Sequence, residues 1–204
     1  MVTPHLVLIG LMGAGKSTVG ERCATALDRP FVDTDRLVEL NAGATVAEIF
    51  ATQGEPAFRA LESSVVADVS VSPEPLVIAC GGGVAVDADN RRALRERGVV
   101  VWLRADPQEL AQRVGSGAGR PLLEGGLGGE GGLGGEGGLG GEGGLGGEGG
   151  LGGEGGPPAV KLARLAVLRE PAYEAAAHVI VDTDGLAIGA VADLVLEEYH
   201  TWNA

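Results

Sequence analysis

The sequence predicts an α/β fold in which a parallel sheet is covered by helices on both faces. Three observations support this prediction. Short apolar segments alternate with segments of helical periodicity along the chain, and a parallel sheet needs such alternation because a helix usually supplies each crossover between its strands. A glycine-rich segment joins the first strand to the first helix. The length of 204 residues suits one domain with a sizeable core.

The first strand and the first helix flank the strongest motif in the chain. An apolar run at residues 5–9 predicts the strand, and apolar side chains at helical spacing over residues 17–27 predict the helix. Between them, Gly-Leu-Met-Gly-Ala-Gly-Lys-Ser at residues 10–17 fits G-x-x-x-x-G-K-[ST], the P-loop that wraps a phosphate. A plain glycine-rich turn with a surface lysine is the alternative, and the flanking strand and helix disfavour it.

The P-loop predicts that the protein binds a nucleoside triphosphate. Its glycines let backbone N–H groups turn towards a phosphate, and the helix N-terminus adds the positive end of its dipole. Lys16 is expected to reach the β- and γ-phosphates, and the Ser17 hydroxyl is expected to bind Mg²⁺. We expect the nucleotide to contact six consecutive residues, which are Gly13, Ala14, Gly15, Lys16, Ser17 and Thr18.

The rest of the chain continues the alternation of strands and helices. A turn and short strand at residues 29–35 end in two carboxylates, Asp33 and Asp35. Further strands are predicted at residues 76–79, 99–103 and 178–181. Helices are predicted from residue 36 to a break at Gly43, from a capping box at residues 45–48, over residues 55–69 and 87–97, from residue 106, and over residues 186–199.

Charge and cysteine content narrow the class of protein. The net charge is −13, and six glutamates in one glycine-rich tract leave −7 for the remainder. Nucleic acid and anionic membranes do not attract an acidic protein, so we expect neither as a partner. Cys23 and Cys80 lack metal-ligand spacing and are expected in the core. Because no segment resembles a signal peptide or a membrane span, we expect a soluble, cytoplasmic protein.

One tract does not fit the alternation. Residues 127–156 are five copies of Leu-Gly-Gly-Glu-Gly-Gly, and a partial copy from Leu123, which holds the sixth glutamate, precedes them. Four glycines in six residues cannot bury enough apolar surface to offset their conformational entropy, so we expect a flexible insertion. Packed glycine-rich helices and a specific binding module remain alternatives.

With the P-loop in place, several further segments resemble the shikimate kinase family. The resemblance rests on residues 10–20, Phe-Val-Asp-Thr-Asp at 31–35, residues 49–59, three glycines at 81–83, Arg-Pro-Leu-Leu at 120–123 and Arg-Glu-Pro-Ala-Tyr at 169–173. It covers nearly the whole chain in order, except the glycine tract. It implies a three-layer α/β/α P-loop kinase fold with a five-stranded parallel sheet in the order 2-3-1-4-5. The implied reaction is ATP plus shikimate giving ADP and shikimate 3-phosphate, a step of aromatic amino-acid biosynthesis.

The resemblance assigns separate roles to the two carboxylates. Asp33 would join Ser17 in holding Mg²⁺, and Asp35 would align the attacking hydroxyl and accept its proton. If residues 31–35 form a strand, the two side chains share a face, because residues two apart point the same way. The alternative is that Asp35 caps the helix that begins at residue 36, which would not exclude catalysis.

The resemblance also implies an acceptor site built from Asp35, Arg59, Gly81, Gly82, Gly83 and Arg169. The two arginines would clamp the carboxylate of shikimate, since a guanidinium matches a carboxylate bidentately. The glycines would bring backbone N–H groups close to the ring hydroxyls. Phe50 and Phe58 would lie against the ring, and Glu62 would orient Arg59. Without the resemblance, Arg59 would be interpreted as a surface arginine and residues 81–83 as a flexible turn. Phe50 and Phe58 would be interpreted as part of a helix core.

Two more arginines complete the implied site. Arg120 would move over the phosphates and neutralise charge on the transferring group, as a third catalytic residue beside Lys16 and Asp35. Arg113 would lie near adenine, together with the loop at residues 182–185. The whole chain, residues 1–204, is expected to be one kinase domain. Its expected parts are a core at 1–114 and 171–204, a lid at about 115–170 that holds the insertion, and acceptor-binding helices at about 35–62.

Two other functions remain open at this point. A gluconate-type sugar-acid kinase of the same P-loop group also needs a carboxylate clamp. A non-catalytic nucleotide-binding protein could use the repeats to bind partners. Intact Lys16, Asp35 and Arg120 favour an enzyme, and the set of Asp33, Asp35, Arg59 and residues 81–83 favours shikimate as its acceptor. The resemblance implies a monomer.

Overall fold

Five parallel strands form one sheet in the computed structural model, which describes residues 3–114 and 157–203. The strands are β1 (His5–Ile9), β2 (Phe31–Asp33), β3 (Val77–Ala79), β4 (Gly98–Arg104) and β5 (Val179–Asp182). Their order in the sheet is β2-β3-β1-β4-β5, and all four pairings are parallel. The predicted sheet and its strand order are confirmed.

The central strand, β1, is buried along its whole length. Leu6 lies opposite Val77 of β3 and Val99 of β4. Side chains on both faces of this strand therefore contact other parts of the protein, which explains why its sequence is a continuous apolar run instead of an alternation.

Helices cover both faces of the sheet. They are α1 (Lys16–Leu27), α2 (Thr34–Ala42), α3 (Val46–Ser70), α4 (Ala88–Arg97), α5 (Pro107–Val114), α6 (Pro158–Ala176) and α7 (Ile188–Trp202), with a 3₁₀ turn at Val84–Val86. Helix α1 packs against α7, whereas α4 packs against both α3 and α6. Helix α5 packs against α6, and α2 packs against α3.

The start of α2 differs from the prediction. The strand β2 ends at Asp33 and the helix begins at Thr34, so Asp35 lies in the first turn of a helix. The cap is Asp33, whose carboxylate accepts hydrogen bonds from the backbone N–H groups of Asp35 and Arg36. The expectation that both aspartates lie in one strand was therefore wrong, and so was the alternative that Asp35 is the cap.

Helix α3 joins the two helices that the sequence predicted separately. Thr45 and Glu48 form the predicted capping box at its start. Gly54 interrupts the helical backbone with φ 81° and ψ 171°, and the chain then continues to Ser70. The two predicted segments are thus arms of one kinked element.

Helix α6 was not predicted. Pro171 lies inside it, and proline in a helix interior removes one hydrogen bond and normally marks a boundary. The helix nonetheless extends from Pro158 to Ala176 because its inner face packs tightly: Leu162, Leu165 and Tyr173 are all buried.

Both cysteines are free and buried in the apolar core, as predicted. None of the helices within residues 3–114 and 157–203 has the length and apolar character needed to cross a membrane.

Candidate active site

A cavity of about 580 Å³ opens at the carboxyl ends of β1, β2 and β3. The order of the strands reverses at β1, and open parallel sheets bind ligands in the crevice beside such a reversal. The P-loop lines one side of the cavity, and side chains from α2, α3 and α6 line the other. One cavity therefore brings together the predicted nucleotide and acceptor groups of the described chain, except Ala14 and Gly81, which are buried and do not line it.

The P-loop adopts the conformation that its glycines permit. Gly13 and Gly15 have φ of 84° and 87°, a region that side chains with a Cβ atom rarely adopt. No described side chain caps the first turn of α1, and the first N–H groups of a helix have no partner within the helix itself. The Lys16 ammonium donates to the carbonyl oxygens of Gly10 and Leu11, both at 2.9 Å, and it lines the cavity. This end of the cavity can hold a polyphosphate.

Ser17 and Asp33 meet at the same end of the cavity. The Ser17 hydroxyl donates to Oδ2 of Asp33 at 2.6 Å, while Oδ1 of Asp33 caps α2. A hydroxyl and a carboxylate are oxygen ligands of the kind that Mg²⁺ takes. The described residues contain no cluster of three metal-ligating side chains. These two oxygens therefore suit an ion that obtains its other ligands from phosphates and water.

Asp35 faces the same cavity from the first turn of α2. Burial raises the pKa of its carboxyl group, and the nearby charge of Asp33 raises it further, whereas Lys16 and Arg59 act in the opposite direction. A carboxylate with a raised pKa accepts a proton more readily, so Asp35 has the character of a general base.

Arg59 is held in place by two carboxylates on its own helix. It donates to Glu62 at 2.6 Å and to Glu55 at 3.0 Å. Burial opposes its charge, but the two glutamates outweigh this effect and raise the pKa of Arg59. The predicted contact of Glu62 with Arg59 is present. The second oxygen of Glu62, Oε1, is buried without a hydrogen-bond partner in the described structure.

The glycines at residues 81–83 allow these side chains to approach the backbone. A Cβ atom at Gly81 would overlap Asp35 and Glu62, and one at Gly83 would overlap the guanidinium of Arg59. The segment is also fixed, since the N–H of Gly81 donates to the buried hydroxyl of Thr34 at 2.8 Å. It is therefore an ordered wall of the cavity, and the flexible-turn interpretation does not hold.

Arg169 reaches the same glycines from α6. Its Nη1 donates to the carbonyl of Gly82 at 3.0 Å, and the side chain lines the cavity although only 6% of its surface is exposed. Tyr173, one turn further along α6, donates to the same carbonyl at 2.5 Å. Arg59 and Arg169 thus supply two guanidinium groups to one cavity.

Phe50 and Phe58 form the apolar part of the wall. Their ring centroids are 4.8 Å apart, and the guanidinium of Arg59 lies 5.2 Å from the centre of the Phe58 ring. Both rings also pack against the core, so the core interpretation and the ligand-facing interpretation both apply.

Arg113 lies at the other end of the cavity, on α5. It donates to Glu109 at 2.7 Å and to the backbone carbonyl of Thr183 at 3.1 Å. Asp184 accepts a hydrogen bond from the backbone of Asp106. The loop at residues 182–185 is therefore tied to α5 beside the P-loop. Arg120, the tract at 127–156 and most of the predicted lid lie outside the described residues.

Thr34 and Tyr173 contribute to the site but were not predicted from the sequence. Both lie inside segments that carry the family resemblance, between the two aspartates and four residues after Arg169. Their hydroxyl groups act on the backbone of residues 81–83, and no local pattern reports a contact so distant in the chain.

The sheet order, the P-loop at the strand reversal and the adjoining oxygen ligands define a P-loop protein of the phosphotransferase class. Comparisons with known proteins narrow this class. A model of the family described as "Shikimate kinase" matches residues 12–128. The chain belongs to the shikimate kinase family.

Relatives and solved structures agree with this assignment. A protein of Symbiobacterium thermophilum named "Shikimate kinase" is 41% identical over 196 residues, which are 95% of each chain. A solved shikimate kinase from Acinetobacter baumannii, in complex with shikimate, is 32% identical with a TM-score of 0.78, over 97% of this chain and 93% of that one. A gluconokinase structure from Sinorhizobium meliloti, at a TM-score of 0.54, covers 99% of this chain and 95% of its own. It is 19% identical and shares the fold alone.

Proposed function

We propose that the protein transfers the γ-phosphoryl group of ATP to a hydroxyl group of shikimate. The observation that carries the proposal is one cavity in which the P-loop, Asp35 and the guanidinium groups of Arg59 and Arg169 converge. Membership of the shikimate kinase family supports the same reaction, and the 41% identical relative carries that name.

The acceptor end suits a small carboxylic acid with several hydroxyl groups. We assign Arg59 and Arg169 to the carboxylate, because guanidinium groups bind carboxylates with paired, charge-assisted hydrogen bonds. The N–H groups of Gly82 and Gly83 make no hydrogen bond with the described residues, and both glycines line the cavity. We assign these N–H groups, with Oε1 of Glu62, to the hydroxyl groups of the ring.

Asp35 is the proposed proton acceptor. As the oxygen of the attacking hydroxyl bonds to the γ-phosphorus, its proton passes to the Asp35 carboxylate and the bond from the γ-phosphorus to the bridging oxygen breaks. ADP leaves with that oxygen. The raised pKa of Asp35, which burial causes, favours this acceptance.

The P-loop and Lys16 are proposed to hold the phosphates and to oppose their negative charge. Ser17 and Asp33 would hold Mg²⁺, which would supply positive charge to offset the negative charge of the phosphates. The nucleotide site extends over residues 13–18 and to Arg113. Arg120 keeps its proposed role over the phosphates on the strength of the sequence alone.

The proposed division of the chain follows the sequence as well. Residues 1–114 and 171–204 are the core, residues of about 115–170 are the lid, and α2 with the first part of α3 corresponds to the acceptor-binding helices at about 35–62. Helix α6 continues across residue 170 and carries Arg169 at the junction. We further propose a cytoplasmic monomer without nucleic-acid or membrane partners; free, buried cysteines and the acidic charge support this.

The test is ADP release by the purified protein with ATP and Mg²⁺, with shikimate, with gluconate or without an acceptor. We expect turnover that depends on shikimate and does not occur with gluconate. Turnover with gluconate alone would replace the proposed acceptor. ATP binding without turnover on either acid would contradict the assignment as an active kinase.

A further inference from the structure

The carbonyl group of Gly82 is a shared acceptor at the edge of the cavity. It receives hydrogen bonds from Nη1 of Arg169 at 3.0 Å and from the hydroxyl of Tyr173 at 2.5 Å. The two donors are four residues apart on α6, so they lie one above the other on the same face of the helix. Helix α6 therefore holds the glycine segment at two points.

The other side of the segment is held by α2. The hydroxyl of Thr34 accepts a hydrogen bond from the N–H of Gly81 at 2.8 Å. Gly81 and Gly82 are thus fixed at one N–H and one carbonyl, while the N–H groups of Gly82 and Gly83 make no hydrogen bond with the described residues. The contacts from the two helices, together with the turn hydrogen bonds from the N–H of Val84 to the carbonyl of Gly81 and from the N–H of Val86 to that of Gly83, determine where these two N–H groups point.

The surroundings of Tyr173 hold its ring in place and keep its hydroxyl protonated. Only 1% of its surface is exposed, and its ring lies against Trp102 with the centroids 5.4 Å apart. Burial raises the pKa of its phenol to about 12, so the hydroxyl remains a donor throughout the neutral range.

Arg169 alone would fix the carbonyl less well, because its other nitrogens are needed for the acceptor carboxylate. The guanidinium of Arg169 also lies within hydrogen-bonding reach of the Tyr173 hydroxyl, so the two side chains hold each other as well as the carbonyl. A second, neutral donor keeps Gly82 in place when the guanidinium adjusts to a ligand.

We propose that Tyr173 is a positioning residue for the acceptor site, which acts through the Gly82 carbonyl to aim the N–H groups of Gly82 and Gly83. The inference rests on the proposed function, since those N–H groups are assigned to the hydroxyl groups of shikimate. Tyr173 itself does not line the cavity that holds the P-loop and the two arginines.

The test is Tyr173→Phe, which removes one hydroxyl and keeps the buried ring. We expect the KM for shikimate to rise about fivefold, the usual factor for one neutral hydrogen bond. The KM for ATP and kcat should change much less. Amide hydrogen exchange over residues 80–86 should become faster, because the Gly82 carbonyl loses one of its two donors.

Tyr199→Phe is the matched control. Tyr199 is also 1% exposed, and its hydroxyl donates to the carbonyl of Pro4 at 2.7 Å and accepts from Arg29, at the opposite end of the sheet. It should alter stability without altering the KM for shikimate or exchange over residues 80–86.

Tyr173→Phe with an unchanged KM for shikimate, or with unchanged exchange over residues 80–86, would overturn the inference. An equal rise in KM in Tyr199→Phe would do the same. If the wild-type protein does not phosphorylate shikimate, the proposed function fails, and the exchange rates alone decide the role of Tyr173.

Discussion

Asp35 lies between charges of opposite sign, and this environment suits a group that must take up a proton. Burial and the charge of Asp33 raise its pKa, while Lys16 and Arg59 favour its ionised form. The balance leaves a carboxylate with a pKa above that of an exposed aspartate, which therefore accepts a proton more readily.

Replacing Asp35 with Asn should lower kcat by about a hundredfold or more, the range in which general bases contribute. Activity of the wild-type protein should also fall as the pH drops through the raised pKa, because a protonated Asp35 cannot accept the proton. Steady-state kinetics over a range of pH measures both effects. Asp68→Asn, at an exposed position on α3, is the control and should leave kcat unchanged. A kcat for Asp35→Asn close to the wild-type value would exclude Asp35 as the base.

The sequence could predict side chains that belong to a contiguous motif. Lys16 and Ser17 follow from the P-loop pattern, because the spacing alone places them at a helix N-terminus beside a phosphate site. Thr34 and Tyr173 could not be found in this way. Each acts through a backbone group that lies 47 or 91 residues away in the chain, and only the fold brings them together.

At the scale of the element, α3 shows how a break in a helix shapes the site. Gly54 separates the arm that carries Phe50 from the arm that carries Phe58 and Arg59. The kink leaves the two phenylalanine rings 4.8 Å apart at the wall of the cavity. The sequence predicted both arms from their periodicity, but a kink that keeps them in one element depends on backbone angles that periodicity does not report.

Gly54→Ala should destabilise the protein by about 1–3 kcal/mol, because φ 81° with ψ 171° is a backbone region that is open essentially to glycine alone. Urea unfolding measures the loss. Gly43→Ala is the matched control: Gly43 caps α2 with φ 64°, ψ 21° and open space around it, so alanine there should cost about 1 kcal/mol. If Gly54→Ala loses no more stability than Gly43→Ala, the backbone at residue 54 accommodates alanine without extra strain.

At the scale of the whole molecule, the two ends of the sheet differ in function. The carboxyl ends of the strands hold the cavity, and the amino ends hold two histidines in structural contacts. Nδ1 of His5 accepts from the N–H of Leu76 at 2.9 Å, and Nδ1 of His178 accepts from the N–H of Val100 at 3.0 Å. An Nδ1 that accepts a hydrogen bond cannot carry a proton, so both contacts require the unprotonated nitrogen.

Stability should therefore fall as the pH drops below about 6.5, the ordinary pKa of histidine. Burial lowers the pKa of His5 and that of His178, with nearby arginines acting in the same direction. Between the ordinary value and the lowered one, the unfolded chain binds protons that the folded chain does not, and protonation favours unfolding. Once the pH is below the lowered pKa of each histidine in the folded protein, the stability that its unprotonated form contributes is fully lost. Urea midpoints at pH 7.5 and pH 5 measure it.

His178→Asn separates this effect from other acid-sensitive groups, because its Oδ1 can accept the same hydrogen bond without titrating. The variant should lose less stability between the two pH values than the wild-type protein. A loss as large as that of the wild type would show that His178 does not contribute to the acid sensitivity.

The arrangement of strands and helices in the whole molecule could be predicted more fully than the individual contacts of the site. Alternating apolar strands and helices predicted a parallel sheet, and the family resemblance supplied the order in which its strands lie. Helix α6 was not predicted because Pro171 indicates a helix boundary, although tertiary packing stabilises a helix there. The start of α2 was misplaced because Asp33 both ends a strand and caps a helix. In each case packing or capping decided between local signals that point to different structures.

We propose that one cavity joins the nucleotide site to an acceptor site walled by glycines. Gly83→Ala tests it most directly, because φ −101° at Gly83 accommodates alanine while the added Cβ atom would overlap the guanidinium of Arg59. Calorimetric titration of the wild-type protein and the variant with shikimate and with ATP is the measurement. We expect the Kd for shikimate to rise about tenfold or more, as displacement of a charged hydrogen-bond donor implies, and the Kd for ATP to stay unchanged. If the variant binds shikimate with wild-type affinity, or if the wild-type protein does not bind shikimate, this acceptor site is wrongly assigned.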